Sequence, residues 1–372
     1  MPKSNEAAKD LWSQIFASRA KAAHATLLDP ETDHSEEEAK LTRGLQDAGW
    51  SDEHIRQAIE RQKSVESSAP ITSPGVNPFV EAHLARLCDD VEAAMDRLKL
   101  DSHAKVARGV EPRAWAYAAK VNVILTDQSI ITVSAFLFRF CGLIARAFTR
   151  TLMLDPHCWD KKEFDQRFVA RRLRDERELL LYWMRIYFSF ATAGTHVLVP
   201  FKPARSHELF LFEQIARAME LFVIAHEYGH HHHSHGKQLD AAPYAEEFEA
   251  DQFALRICYE IERYPVFFTN PYLSSGAGAV VMLMALETLH QIEDLIGVKR
   301  TGTVDTHPNI AARIARFNSV AVLKPAEYEN LNSFRTAAGR VMRVVNSLLL
   351  PPLKALPSDT FRELHKFEIP RD

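Results

Sequence analysis

The sequence predicts a mainly α (α+β) protein, and three features of its 372 residues carry that expectation. Long stretches show helical periodicity, clearest at Ile215, Met219, Phe222, His226 and His230, which recur three or four apart and share one face of a helix. Only one pair of β-branched runs reads as strand: Val121-Asn-Val-Ile-Leu-Thr126 and Ser129-Ile-Ile-Thr-Val-Ser134, joined as a hairpin by Asp127-Gln128. No internal repeat is visible, so the helices are not units of a solenoid.

The elements follow in order. Residues 1–63 read as a polar helical region. Within it, Leu41 to Ala58 form a helix, a turn and a second helix, with Gly49 ending the first and Ser51 capping the second ahead of Glu53. This pattern is similar to ubiquitin-associated-like helical hairpins. Residues 64–78 are rich in Ser and Pro and read as a linker, so residues 1–63 are expected to be dispensable for metal binding and for hydrolysis of short peptides. The remainder, 79–372, reads as one larger domain. It opens with a helix over 79–98 and continues through the 121–134 hairpin to an apolar helix over 135–154. A charge-dense helical stretch covers 160–185, and its mixed signs mark a solvated face. Helices are then expected over 209–233, 245–261 and 278–296. Thr306-His307-Pro308 opens another, to about Phe317, and a last one covers 331–350.

Composition narrows the function. Lys+Arg number 45 against 49 Asp+Glu, a net charge of -4. A general nucleic-acid coat shows a basic surplus instead, so no nucleic-acid partner is expected. The 4 cysteines are far apart and form no C-x-x-C, which argues against a disulfide framework and a cysteine zinc site. The apolar stretch 130–148 carries Arg139 and Arg146, and 264–286 is broken by Pro265, Pro271 and Gly276. Both read as buried core, not as membrane spans. No secretory leader is visible in MPKSNEAAKD, so the expected location is cytoplasmic.

The chemistry gathers at His226-Glu227-Tyr228-Gly229-His230, an H-E-x-x-H. Residues four apart on a helix lie about 40° apart around the axis, so both imidazoles reach one ion. Glu227 sits about 100° round from His226, suited to a water on that ion. Gly229 lets another backbone approach this turn closely. With 17 His in the chain, about 0.06 such motifs are expected by chance, and this one also continues an apolar helical stripe. A third ligand is needed. Glu247 and Asp251 lie four apart on the next helix, which suits a zinc ligand, Glu247, and an acceptor for the free N–H of His226, Asp251. Glu246 and Glu249 compete but have no carboxylate four residues on. His233, seven after His226, offers an alternative three-histidine site. The simpler expectation is that His231, His232, His233 and His235 continue the helix into solvent and add weak secondary metal affinity.

With Thr306-His307-Pro308-Asn-Ile-Ala-Ala-Arg313 as a third ordered match, the stretch 115–320 resembles gluzincin metallopeptidases of the HtpX and CAAX-prenyl-endopeptidase type. The resemblance implies a zincin-like metallopeptidase domain, with a small sheet or hairpin beside the H-E-x-x-H helix. It implies a protein or peptide substrate and one Zn²⁺ per chain held by His226, His230 and Glu247, with Glu227 as general base. It makes His307 the first candidate donor to the oxyanion, with Arg313 in support, and matches Asn122 to the family's substrate-binding edge strand. The family's Asn-Ala-Phe is Asn122-Val-Ile here. Two other functions stand beside this one. The first is a non-catalytic, zinc-stabilised interaction protein, although a structural site closes zinc with four protein ligands and has no need of Glu227. The second is a latent peptidase triggered in a stress or phage response.

Overall fold

The computed structural model describes residues 5–23, 34–68, 78–100, 102–111, 114–155, 165–236, 243–265, 269–298, 308–317 and 325–355. The fold is mostly helical with one small sheet. In chain order the elements are α1 (Glu6–Ala23), α2 (His34–Asp47), α3 (Asp52–Ser68), α4 (Pro78–Arg97), β1 (Val106–Glu111), β2 (Ala118–Asn122), β3 (Ser129–Ser134), α5 (Ala135–Leu152), α6 (Gln166–Asp175) and α7 (Arg177–Ala193). They continue with α8 (Leu209–His232), α9 (Pro243–Glu262), α10 (Pro271–Ser274), α11 (Ala277–Ile296), α12 (Ile310–Arg316) and α13 (Pro325–Lys354).

Helix α8 is the axis of the molecule. Its first turns expose Phe210, Glu213 and Arg217, but from Ala218 to Gly229 every residue except Val223 is buried. A helix buried on every side must be enclosed by other elements. Here α4, α5, α9, α10 and α11 enclose it. The crossing with α11 is close because both partners are small. A Cβ on Gly278 would lie 2.5 Å from Ala218 Cβ and 2.7 Å from Ala218 C, so only glycine lets the start of α11 rest on that turn.

The sheet has the order β1-β3-β2, with β1 parallel and β2 antiparallel to β3. The expected hairpin is present, with Asn122 opposite Ser129. Its central strand is buried along its whole length. Ile131 and Val133 face the main core, while Ile130 faces a second cluster with Ala107, Val123, Ala8 and Trp12. This is the period-two alternation of a strand covered on both faces. The cover on the second face is α1. It is anchored by Asn5 Nδ2 donating to Val106 O at 2.7 Å and by Ala8 N donating to Gln128 Oε1 at 2.8 Å.

Strand β1 is an addition to the sequence expectation. Val106-Ala-Arg-Gly-Val-Glu111 holds Arg, Gly and Glu, a weak strand signature, and its partner β3 lies past the intervening hairpin strand. Gly109 is there because Trp12 lies on it: a Cβ would come within 2.1 Å of the indole. The charge-dense stretch forms two helices that break at Glu176, where ψ swings to 64°. Between α2 and α3, Gly49 adopts φ +83°, and Ser51 Oγ accepts from His54 N at 3.3 Å, which is the expected turn and cap. Trp50 Nε1 donates to Ala204 O at 2.9 Å, tying this hairpin to the loop before α8. Helix α3 runs through Ser68, into the Ser/Pro stretch, of which residues 69–77 lie outside the described residues. Among the described residues, the 264–286 stretch holds α10 and the first half of α11, with Ser275 and Gly276 between them. Among the described residues no helix is long and apolar enough to cross a membrane.

Candidate metal centre

The site forms where α9 settles onto the last turns of α8, and one residue permits that approach. A Cβ on Gly229 would lie 3.0 Å from Ala250 Cα, 3.1 Å from Ala250 O and 3.2 Å from Phe253 Cβ. The close approach brings Glu247 and Asp251, the residues three before and one after Ala250, onto the two histidines of α8.

His226, His230 and Glu247 each offer a ligand atom to one cluster. The Nε2 atoms of His226 and His230 are 3.0 Å apart. Glu247 oxygens lie 3.4 Å from His226 Nε2 and 3.3 Å from His230 Nε2. Ligand atoms about 2.0–2.1 Å from a tetrahedral Zn²⁺ are about 3.3–3.4 Å from one another. Each imidazole faces its own oxygen of Glu247, one ligand atom from each of the three residues lies within 4.8 Å of the other two, and two imidazoles with a carboxylate are a donor set that zinc accepts. His226 and Glu247 are buried, while His230 is partly open.

A further layer holds these donors in place. His226 Nδ1 lies 3.0 Å from Asp251 Oδ1, so that when an ion takes Nε2 the remaining proton sits on Nδ1, facing a carboxylate. Arg313, from α12, grips both oxygens of Asp251 through Nε at 2.7 Å and Nη2 at 2.6 Å, and its Nη1 is 3.4 Å from Glu247. Burial would lower the pKa of His226, but the carboxylates of Asp251 and Glu247 outweigh it and hold the imidazole at about 9. Burial opposes the charge on Asp251 too, yet Arg313 and His226 keep its carboxyl below the ordinary value. The charges of Asp251, Glu247 and Glu227 reinforce the cation on Arg313 against its burial.

The expected site residues are distributed as follows. Glu227 is buried on α8, next to His226. Arg313 is buried with its guanidinium on Asp251 and Glu247, behind the ligands. Asn122, at the end of edge strand β2, donates through Nδ2 to His235 O at 3.3 Å, so the hairpin lies beside the motif helix. His307 lies outside the described residues. Glu246 and Glu249 are not in the His226 cluster: Glu246 accepts from Gly236 N at 3.0 Å, and Glu249 Oε2 lies 3.0 Å from His235 Nε2. His233 clusters with His235 and Glu249 instead.

Two contacts escaped the sequence reading. His231 pins α8 to the sheet, with Nδ1 2.8 Å from Ser129 Oγ and Nε2 2.9 Å from Ser102 O. His235 folds back so that its Nδ1 lies 2.9 Å from His230 Nδ1. The signal for the second was the run His230-His-His-His-Ser-His-Gly236, a helix end followed by residues that reverse the chain.

Residues 201–333 match the model of the family Peptidase U49. The matched span covers α8 to α12 and every residue of the cluster. The match supports a peptidase, with protein as its substrate. Neither a curated protein nor a solved structure matches the chain.

Proposed function

We propose that the protein is a zinc-dependent endopeptidase, a member of the gluzincin type. The observation that supports this most is the convergence of His226 Nε2, His230 Nε2 and the Glu247 carboxylate, one oxygen of which faces each imidazole at 3.3–3.4 Å. Three protein ligands leave a fourth position, as catalytic sites require and structural sites do not. Zinc bound there supplies Lewis-acid polarisation of the scissile carbonyl and acidifies water near it.

The chain's own residues do the rest. Glu227 takes the proton of the attacking water and returns it to the leaving amine, so one carboxylate serves both halves of the reaction. Asp251 orients His226, and Arg313 holds Asp251 and Glu247 in place, so neither His226 nor Glu247 has to be ordered when substrate arrives. His307 donates to the oxyanion as charge develops on it. The outer edge of β2, which pairs with no strand among the described residues, takes the substrate backbone as an added strand, which makes recognition largely independent of side chains. Asn122 sits at the end of that edge.

The test is metal content together with cleavage of a proteome-derived peptide library by wild type and Glu227→Gln. One tightly held zinc per chain in both, with cleavage by wild type alone, is expected. Equal cleavage by the two, with contaminants controlled, would sink the peptidase mechanism and favour a structural zinc.

A further inference from the structure

The turn that ends α8 is not used by the chemistry above. His235 N donates to His230 O and Ser234 N to His231 O, both at 3.0 Å. These are the paired bonds of a Schellman termination. Ser234 takes φ +58°, the left-handed position that glycine usually fills in this motif. The motif folds the residue after that position back over the residue five before it, and here both are histidines. Neighbouring elements fix the turn. Lys120 Nζ and Asn122 Nδ2, from β2, donate to His235 O at 2.6 and 3.3 Å. Gly236 N donates to Glu246 of α9. His233 stacks on His235 with ring centroids 5.3 Å apart. A donor atom from each of His233, His235 and Glu249 lies within 4.8 Å of the other two. His235 is buried, whereas His233 and Glu249 are exposed, so the cluster faces solvent.

We propose that His233, His235 and Glu249 hold a second divalent transition-metal ion, and that this ion weakens the first. The antagonism arises because the Nδ1 atoms of His230 and His235 lie 2.9 Å apart, a gap that one N–H can bridge and two cannot. The proposal rests on reading His226, His230 and Glu247 as zinc ligands. Imidazole and carboxylate together suit zinc, cobalt and copper. A neutral imidazole carries one N–H, so binding an ion through one nitrogen sends the proton to the other.

The first site needs the Nε2 lone pair of His230. Its Nδ1–H then donates to His235 Nδ1, and His235 carries its own proton on Nε2, donated to Glu249. The second site needs the lone pair of that same His235 Nε2, since this is the nitrogen facing Glu249 at 3.0 Å. His235 would then donate from Nδ1, and His230 would be left with its proton on Nε2, the nitrogen that faces the first ion. With both sites filled, two Nδ1–H groups would point at each other across 2.9 Å, and the rings would have to part. In the empty second site, the Glu249–His235–His230 chain orients His230 as Asp251 orients His226.

The test uses the full-length protein, stripped of metal and titrated with zinc. Wild type is expected to take up two ions per chain, one tightly, whereas His233→Ala and Glu249→Gln take up one. Radiolabelled zinc preloaded at one per chain should leave about tenfold faster into excess cobalt than into excess chelator, the scale on which losing a ligand's outer partner acts. In His233→Ala that acceleration should vanish. One ion in wild type and in both variants, lost only in Glu247→Gln, overturns this proposal and leaves the first site standing. Two ions that leave independently overturn the antagonism. A single ion kept in Glu247→Gln but lost in His233→Ala overturns both readings.

Discussion

Asp251 is held by two N–H groups of Arg313 and in turn faces His226 Nδ1, so its charge sets the direction of an imidazole it shares with an ion. Asp251→Asn keeps the volume and removes that charge. It is expected to weaken zinc about 10–100-fold, read by competition with a chelator, and an unchanged affinity would deny Asp251 this role. His307→Ala is expected to lower kcat by about 10²–10³ and leave KM nearly unchanged, because an oxyanion donor acts only as charge develops. At this scale the sequence was informative where partners lie one helical turn apart. His226 with His230, and Glu247 with Asp251, could be paired by counting. Arg313 could not be given its partner, because an ion pair bridging 62 positions leaves no periodic trace. His235 was hidden for another reason: its place depends on a left-handed residue, and Ser234 does not announce one as glycine would.

The contact between α8 and α9 depends on Gly229, and the opposing atoms belong to backbone that cannot rotate away. Gly229→Ala is therefore expected to cost about 1–3 kcal/mol, as overpacking does. It should also loosen zinc, since Glu247 and Asp251 ride on the displaced helix. Urea titration and metal content check the two effects together. Helix α1 gives a second expectation. Trp12 lies on Gly109 and closes the sheet over Ala107, Val123 and Ile130, so Trp12→Ala should destabilise by about 3–5 kcal/mol if the sheet unfolds with the rest. A chain beginning near Pro78 would expose the same face, and its thermal transition compared with that of the full chain measures how much the first helices contribute. The hairpin was legible because both strands and their turn are consecutive. Strand β1 was not, since a parallel pairing is formed by tertiary structure and Gly109 weakens the local signal.

Across the whole molecule, metal binding and folding should be linked. An ion that binds only the native state adds about 4 kcal/mol at a thousandfold excess over its dissociation constant. Chelation should lower the thermal midpoint of wild type more than that of a Glu247→Gln variant. The buried thiols report on the same core. Burial pushes Cys88 and Cys258 up to about 12 and Cys141 well above the ordinary thiol value. In native protein near about pH 8, iodoacetamide should leave peptides containing these three unlabelled until denaturant is added. Labelling of Cys88 without denaturant would mean that the packing of α4 against α8 is looser than described. The mainly helical architecture was readable because most long apolar stripes in the chain had one period. The central place of α8 was less so, since a stripe shows which face is buried but not how many neighbours will bury the others.

The enclosure of α8 has a consequence in time. Backbone amides exchange with solvent only when their hydrogen bonds open, and those in the middle of the most enclosed element open only when the whole domain does. The amides around Met219 and Phe222 should thus exchange at the rate of global unfolding. Those of His233 to Gly236, held by the last carbonyls of α8 and by the carboxylate of Glu246, should exchange far sooner. One helix would then carry both the slowest and nearly the fastest protons of the domain. The candidate ligands stand at the boundary between them, where His226 is as fixed as the core and His230 touches the part that breathes.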